Sequence, residues 1–345
     1  MKIVCLYPAP AFSVRDVARG YHHALALLGH DVWPVDFPRR LGFYERALKD
    51  VIPEAKVETE TVRLATEAVV IECLRLRPDL VLVVSGMGLH PDLYPLLRRA
   101  GLPTATVFTE SPYSDDRQLL IASVTDYCFV NDRASLMPFR RVNSRTWYLP
   151  PAYDPDVHRP IPVGPDNRSD VVLVATGFGE RVRFLEAVDW TGIDFRLFGL
   201  WDLPAGSPLH RHYQRRLLPN DEAARWYSGA RIALNLHRTD TGWGSGGTQI
   251  TDAYSVNPRA YEIAACGTFQ LCDNSRPELA DLFGCSVPTF RTPEDLGGLI
   301  RWALANDGAR AELAAAARKR VAGQTFTART KALIAAVEAS APVAA

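Results

Sequence analysis

Apolar residues alternate along this chain between two rhythms. Ile3, Val4, Cys5, Leu6 and Tyr7 form a continuous run that stops at Pro8, which predicts a strand. Val14, Val17, Ala18, Tyr21, Leu25 and Leu28 then recur at helical spacing until Gly29, and residues 31–35 return to strand character. Strand, helix and strand in close succession make a βαβ unit, which implies a parallel sheet. The pattern repeats with a helical stripe of Val62, Ala65, Val69, Cys73 and Leu76. After it, residues 80–84 are unbroken apolar sequence, as a strand covered on both faces requires. Further strands are predicted at 104–108, 127–130 and 146–149, and helices at 93–100 and 118–123.

Pro150, Pro151, Pro155, Pro160, Pro162 and Pro165 interrupt the alternation with what reads as a stiff, polar linker. Beyond it strands are predicted at 171–175, 195–198, 232–236 and 269–272. The intervening helices fall at 181–188, 222–228, from Pro258 onward, and at 277–283. Three alanine-rich helices follow at 293–304, 309–321 and 328–339, before a tail expected to fray. The chain has 345 residues, beyond the ~250–300 at which single cores stop growing. The fold class read from this is α/β, with two Rossmann-like doubly wound domains facing a central cleft. Their expected limits are 1–160 and 161–325, with a terminal helix and tail at 326–345 packing back on the first domain. Ligands of such sheets bind beyond the carboxyl ends of the strands.

Composition removes alternatives more than it adds. Lys plus Arg and Asp plus Glu are both 39, so a general polyanion binder is not expected. The six cysteines form no C-x-x-C pair and mostly sit in apolar stretches, where cysteine behaves as a small hydrophobe; a cytoplasmic setting fits. The run from Ile3 to Tyr7 is too short for a signal-peptide core, and no apolar run reaches the ~18 residues of a membrane span. Neither G-x-S-x-G nor G-x-x-x-x-G-K-[ST] occurs, which removes the α/β-hydrolase and P-loop readings. His22-His23 and His210/His212 have no third ligand of suitable type nearby, so no metal is expected.

The most informative stretch starts at Asn257-Pro-Arg-Ala-Tyr-Glu262. Asn257 suits a helix N-cap and Pro258 the first helical position. Arg259 then stands in the first turn, where the helix dipole disfavours a cation unless an anion also arrives. Glu262, one turn on, can accept hydrogen bonds from a ribose diol. These residues suggest a nucleotide-sugar site, while an ordinary helix with an Arg259–Glu262 surface pair is the plainer alternative.

Other loops at strand ends supply further candidates. Gly177-Phe-Gly179 would let backbone approach a phosphate, and Arg181 begins the next helix against its dipole. Val182 stands where a dinucleotide fingerprint needs glycine, which argues against NAD. His237-Arg238 opens a polar loop with Gly242, Gly244, Gly246 and Gly247, expected to be mobile until a ligand orders it. In the first half, loop 109–117 offers Glu110 as a general base or hydroxyl ligand, and Asp115-Asp116 as helix caps. The patch from His210 to Arg216 reads as a solvated loop.

The run Asn257-Pro-Arg-Ala-Tyr-Glu-Ile-Ala-Ala-Cys-Gly-Thr-Phe-Gln-Leu271, with Glu278-Leu-Ala-Asp-Leu-Phe283 after it, resembles the C-terminal half of CgeB-type glycosyltransferases. So does Trp226-Tyr-Ser-Gly-Ala-Arg-Ile-Ala-Leu-Asn-Leu-His-Arg238, and the proline-rich segment 149–159 resembles that family's interdomain stretch. The resemblance implies a GT-B fold and a metal-independent transfer of a sugar from a nucleotide-diphosphate-sugar donor to an acceptor hydroxyl, with retention. It places ribose binding on Glu262 and the diphosphate near Asn257 and Arg259, with Arg259 stabilising the leaving group. Gly177, Gly179, Arg181, His237 and Arg238 complete the expected donor-binding set, and Glu110 is the acceptor-side candidate. The sequence leaves the acceptor open among small molecule, glycan, protein and nucleic acid. Many related retaining enzymes carry a second glutamate eight positions before the first; here that position is Tyr254. An epimerase or hydrolase acting on nucleotide sugars, or a non-catalytic binding protein, are the alternatives on the same fold.

Overall fold

The strands predicted from continuous apolar runs assemble, in a computed structural model, into two wholly parallel sheets. The structure describes residues 1–8, 14–241 and 248–340; most of the loop after Pro8, the four glycines of loop 242–247 and the tail lie outside the described residues. The chain forms two compact units, one of Met1–Pro150 with Phe326–Ala345, the other of Pro151–Thr325.

In the first unit the strands are β1 (Lys2–Tyr7), β2 (Asp31–Asp36), β3 (Leu80–Val84), β4 (Thr104–Val107), β5 (Tyr127–Val130) and β6 (Thr146–Tyr148), in sheet order β2-β1-β3-β4-β5-β6. Strand side chains alternate between faces. Ile3, Cys5, Leu82 and Val84 meet the helix Val14–Leu27, while Val4, Leu6, Val81 and Val83 meet the helices Glu54–Leu76 and Leu93–Arg99. The helix Phe326–Ser340 lies on the first of these faces, burying Leu333, Ile334 and Val337. Burial of each such side chain contributes about 1.5–3 kcal/mol.

The second unit has β7 (Ser169–Val174), β8 (Phe195–Phe198), β9 (Ala230–Asn235), β10 (Gln270–Asp273) and the two-residue β11 (Thr289–Phe290), ordered β11-β10-β9-β7-β8. Chain progress runs outward in opposite directions from the β7/β9 boundary, so the topological switch point lies there. Val171, Leu173, Ile232 and Leu234 face the helices Gly179–Glu186 and Pro293–Ala305. Val172, Ala233 and Cys272 face the helices Asn220–Gly229, Pro258–Ala265 and Asp307–Val321.

Two sequence readings change here. The proline-rich stretch is part of the second unit's packing, and the units divide at Pro150–Pro151, ahead of the expected junction at 160. Val157 and Ile161 pack against the core under Asn220–Gly229, and the Ile161 amide donates to Ser228 Oγ at 3.2 Å. The basic patch is a solvated loop only in part, with Arg211, Arg215 and Arg216 exposed. His212 is buried against Phe195, and Leu197 exchanges backbone hydrogen bonds with His212 and Gln214, extending the edge of β8. The cysteines are all free thiols and five are buried; burial alone pushes the Cys5 thiol up to about 12. Among the described residues no helix is long and apolar enough to cross a membrane.

Candidate functional site

The helix Pro258–Ala265 begins at the carboxyl ends of β9 and β10, and its start is built as its sequence predicts. Asn257 is in extended backbone geometry and its Oδ1 accepts from the Ala260 amide at 3.1 Å, with Pro258 at the first helical position. The Asn257 side-chain amide in turn donates to Asn235 Oδ1 at 2.8 Å, tying the cap to the last residue of β9. Asn235 pairs in register with Cys272, so the cap is indexed to the sheet. Arg259 is half-buried against the fully buried Tyr227, and its Nε is buried with no hydrogen-bond partner. Glu262, one turn on, is half-buried, and His158 Nε2 stands 4.0 Å from its Oε1. The carboxylate and guanidinium of Arg259 and Glu262 form no ion pair with each other among the described residues.

The helix Gly179–Glu186 starts on the opposite face of the same sheet, after β7. Its cap residue, Phe178, provides no side-chain bond. Arg181 is buried and donates to Thr176 O at 2.9 Å and Leu236 O at 2.7 Å, so its guanidinium clamps the ends of β7 and β9 together. Gly177 has a structural reason to be glycine. A Cβ there would come within 2.5 Å of the Trp201 ring, because Gly177 forms a parallel bridge with Trp201. Arg181 and Arg238 both lie over the Phe178 ring, at 5.2 and 4.6 Å from its centre.

Between this helix and the ends of β9–β11 opens a cavity of about 500 Å³ lined by Glu180, Arg181, His237, Asp273, Asn274 and Arg291, with Phe184 and Phe290 as apolar walls. Asp273 organises its floor. One carboxylate oxygen accepts from the His237 amide at 2.5 Å and from His237 Nδ1 at 3.0 Å; the other accepts from the Ser275 amide at 3.0 Å and from the Ser275 hydroxyl. Burial raises the carboxyl, but these donors outweigh it and hold Asp273 well below the usual carboxylate range. Burial lowers the His237 ring and Asp273 pulls it back only in part, so the imidazole is neutral, with its proton on Nδ1 and its lone pair on the buried, unpartnered Nε2. His237, Cys272 and Asp273 bring three ligand-type atoms within 4.8 Å of one another. Arg181 and Arg276 press positive charge on the same histidine, and Asp273 is already saturated with donors, which suits a hydrogen-bond cluster better than a cation site.

The candidates therefore fall into three places. Asn257, Arg259 and Glu262 share one helix start; Gly177, Gly179, Arg181, His237 and Arg238 gather around Phe178 and the cavity. Glu110 lies in the first unit, after β4, where its carbonyl accepts from the Ser114 amide and its side chain is half-exposed. Asp115 starts the helix Asp115–Ala122 and accepts from the Ser135 hydroxyl at 2.5 Å; burial raises its carboxyl. Tyr254, at the position of the missing glutamate, donates its hydroxyl to Asp281 Oδ2 at 2.8 Å. Sequence reasoning did not single out Asp273 or Arg276, whose side-chain bond to the Arg238 carbonyl joins two loops. It missed His158 altogether, since a lone histidine among prolines carries no local signal.

Residues 181–335 match the glycosyl transferase-like family. The spore protein CgeB of Bacillus subtilis is 22% identical over 203 residues, which are 57% of this chain and 64% of CgeB, a little under two thirds of its length. Over 99% of this chain and the whole of the other, the structure is similar to sucrose-phosphate synthase from Thermosynechococcus elongatus (TM-score 0.66, 15% identity). A second similar structure is HepE from Anabaena in complex with UDP-glucose (TM-score 0.61, 12% identity, 99% and 100% covered). The fold is thus the GT-B fold of these solved glycosyltransferases, and the similarity to the glycosyl transferase-like family lies in residues 181–335.

Proposed function

We propose that this chain is a glycosyltransferase that moves a sugar from a nucleotide-diphosphate-sugar to an acceptor hydroxyl. The observation that carries the reading is the start of the helix Pro258–Ala265. A side-chain-capped helix N-terminus, an arginine set against the dipole and a carboxylate one turn on stand together beside the switch point. The positive end of the helix dipole and Arg259 suit a diphosphate, and Arg259 stabilises the charge that develops on it as the glycosidic bond breaks. Glu262 accepts from the ribose diol. The similar HepE structure, which holds UDP-glucose, supports a donor of this class.

The remaining roles follow from chemistry. Glu180, Asn274 and His237 in the cavity suit sugar hydroxyls, and Phe178 with Arg181 and Arg238 holds the Gly177–Gly179 turn in place beside it. The helix dipole and Arg259 supply the countercharge that a divalent metal supplies elsewhere, so the transfer needs none. Glu110 serves the acceptor side. Tyr254 stands in place of a second glutamate, and the departing phosphate takes the acceptor proton with the anomeric configuration retained.

Thermal-shift measurements with UDP, GDP, ADP and dTDP test the donor class. A ligand at 100 times its Kd stabilises by about 2.7 kcal/mol, well within reach of a melting curve. No shift with any of the four at millimolar concentration defeats the reading.

A further inference from the structure

Glu262 is the residue on which ribose recognition rests in the reading above, yet its carboxylate makes no side-chain hydrogen bond among the described residues. His158 Nε2 lies 4.0 Å from its Oε1, and the His158 side chain is only 2% exposed. His158 lies in the proline-rich segment, and its backbone amide donates to the Asp154 carbonyl at 2.7 Å. Its Nδ1 accepts from the Asp154 amide at 3.3 Å. An imidazole nitrogen that accepts carries no proton, so in the neutral ring the proton is on Nε2. That N–H is buried, has no hydrogen-bond partner, and stands 4.0 Å from Glu262 Oε1.

A buried donor without a partner costs about 1–3 kcal/mol, and a separation of 4.0 Å is too long to recover it. The pair is therefore arranged for a contact that a small carboxylate rotation completes. A carboxylate that accepts two ribose hydroxyls must hold one orientation, and a donor behind it selects that orientation. The backbone bonds to Asp154 hold the imidazole in place while Glu262 turns.

We propose that His158 is a positioning residue for Glu262, donating from Nε2 to its carboxylate when a ribose diol engages it. The preference for ribonucleotide over 2′-deoxyribonucleotide then depends on both residues. This rests on the donor reading above. It gives a role to a residue that neither the helix nor its flanking loops contain.

The test is titration calorimetry with UDP and with 2′-deoxy-UDP on the full chain. The wild type is expected to favour UDP by about tenfold, and Glu262→Ala to bring the ratio close to one. His158→Asn keeps an oxygen where Nδ1 accepted from Asp154 but removes the Nε2 donor, and should lower the ratio to about threefold or less. His158→Gln returns an N–H near the Nε2 position and should keep most of the preference. In the wild type, long-range proton–nitrogen spectra should show the His158 Nε2 proton shifting with UDP and not with 2′-deoxy-UDP, a readout that needs no variant. A ratio that collapses in Glu262→Ala but is unchanged in His158→Asn, or an Nε2 signal indifferent to UDP, overturns the inference alone. If UDP fails to bind the wild type, the inference falls for a uridine donor, and the donor reading itself falls only when none of the four nucleotides shifts the melting curve.

Discussion

The two helices that flank the switch point of the second sheet both begin with an arginine near the first turn, and they use it in opposite ways. At Gly179–Glu186 the cap makes no side-chain bond, and Arg181 turns back to satisfy two main-chain carbonyls. At Pro258–Ala265 the cap is complete, and Arg259 meets the Tyr227 hydroxyl but satisfies no main-chain carbonyl among the described residues. A cation set against a helix dipole is thus explained internally in one case and asks for an external anion in the other. Position along the sequence made the two arginines look equivalent; the hydrogen-bond geometry separates them.

The contrast can be broken most directly at Arg259. Arg259→Ala should lower kcat/KM with the cognate donor by about 10²–10³-fold, or about 3–4 kcal/mol of transition-state stabilisation, with little change in the urea midpoint. A loss of stability in place of rate would make Arg259 another clamp. Arg181→Met should do the reverse. Two charge-assisted bonds vanish and two carbonyls lose their partner, which lowers stability by about 2–3 kcal/mol, read from urea unfolding at an unchanged slope.

The smallest effect concerns pH and the floor of the cavity. His237 is held neutral by burial, so below about pH 6.5 the unfolded chain binds a proton that the folded chain refuses. Its contribution is full above that pH and declines as pH falls toward the lowered folded value. Asp273 is depressed, so its contribution is present above about pH 3.9 and is lost only at still lower pH. His237→Gln should therefore flatten the fall in urea midpoint between about pH 6.5 and pH 5, where Asp273 contributes no slope. His212, also lowered by burial, keeps its share in both proteins.

Much of the architecture was legible because parallel strands covered on both faces must be continuously apolar, as at Leu80–Val84. What escaped had weak local signals. The helix Phe37–Leu48 carries Pro38, Arg39, Arg40 and Gly42 in its first half and buries only Phe37 fully. The helix Leu136–Val142 has Pro138 near its start, where a missing amide proton costs nothing. At the site, the cap at Asn257 was readable because capping is local chemistry. The Asp273–His237 bond and the His158–Glu262 approach were not, because each joins residues distant in sequence that only register and packing bring together.

The placement of the helix Phe326–Ser340 with the first unit has a consequence for synthesis. Topologically the second unit is an insertion, entered after Pro150 and left before Phe326. Phe326 fills the space that a side chain at Gly20 would need, and Leu333 closes the same core as Ile3 and Leu25. A nascent chain therefore makes most of its first unit early but must hold that apolar face open while the whole of the second unit is translated. The unit begun first is the one completed last.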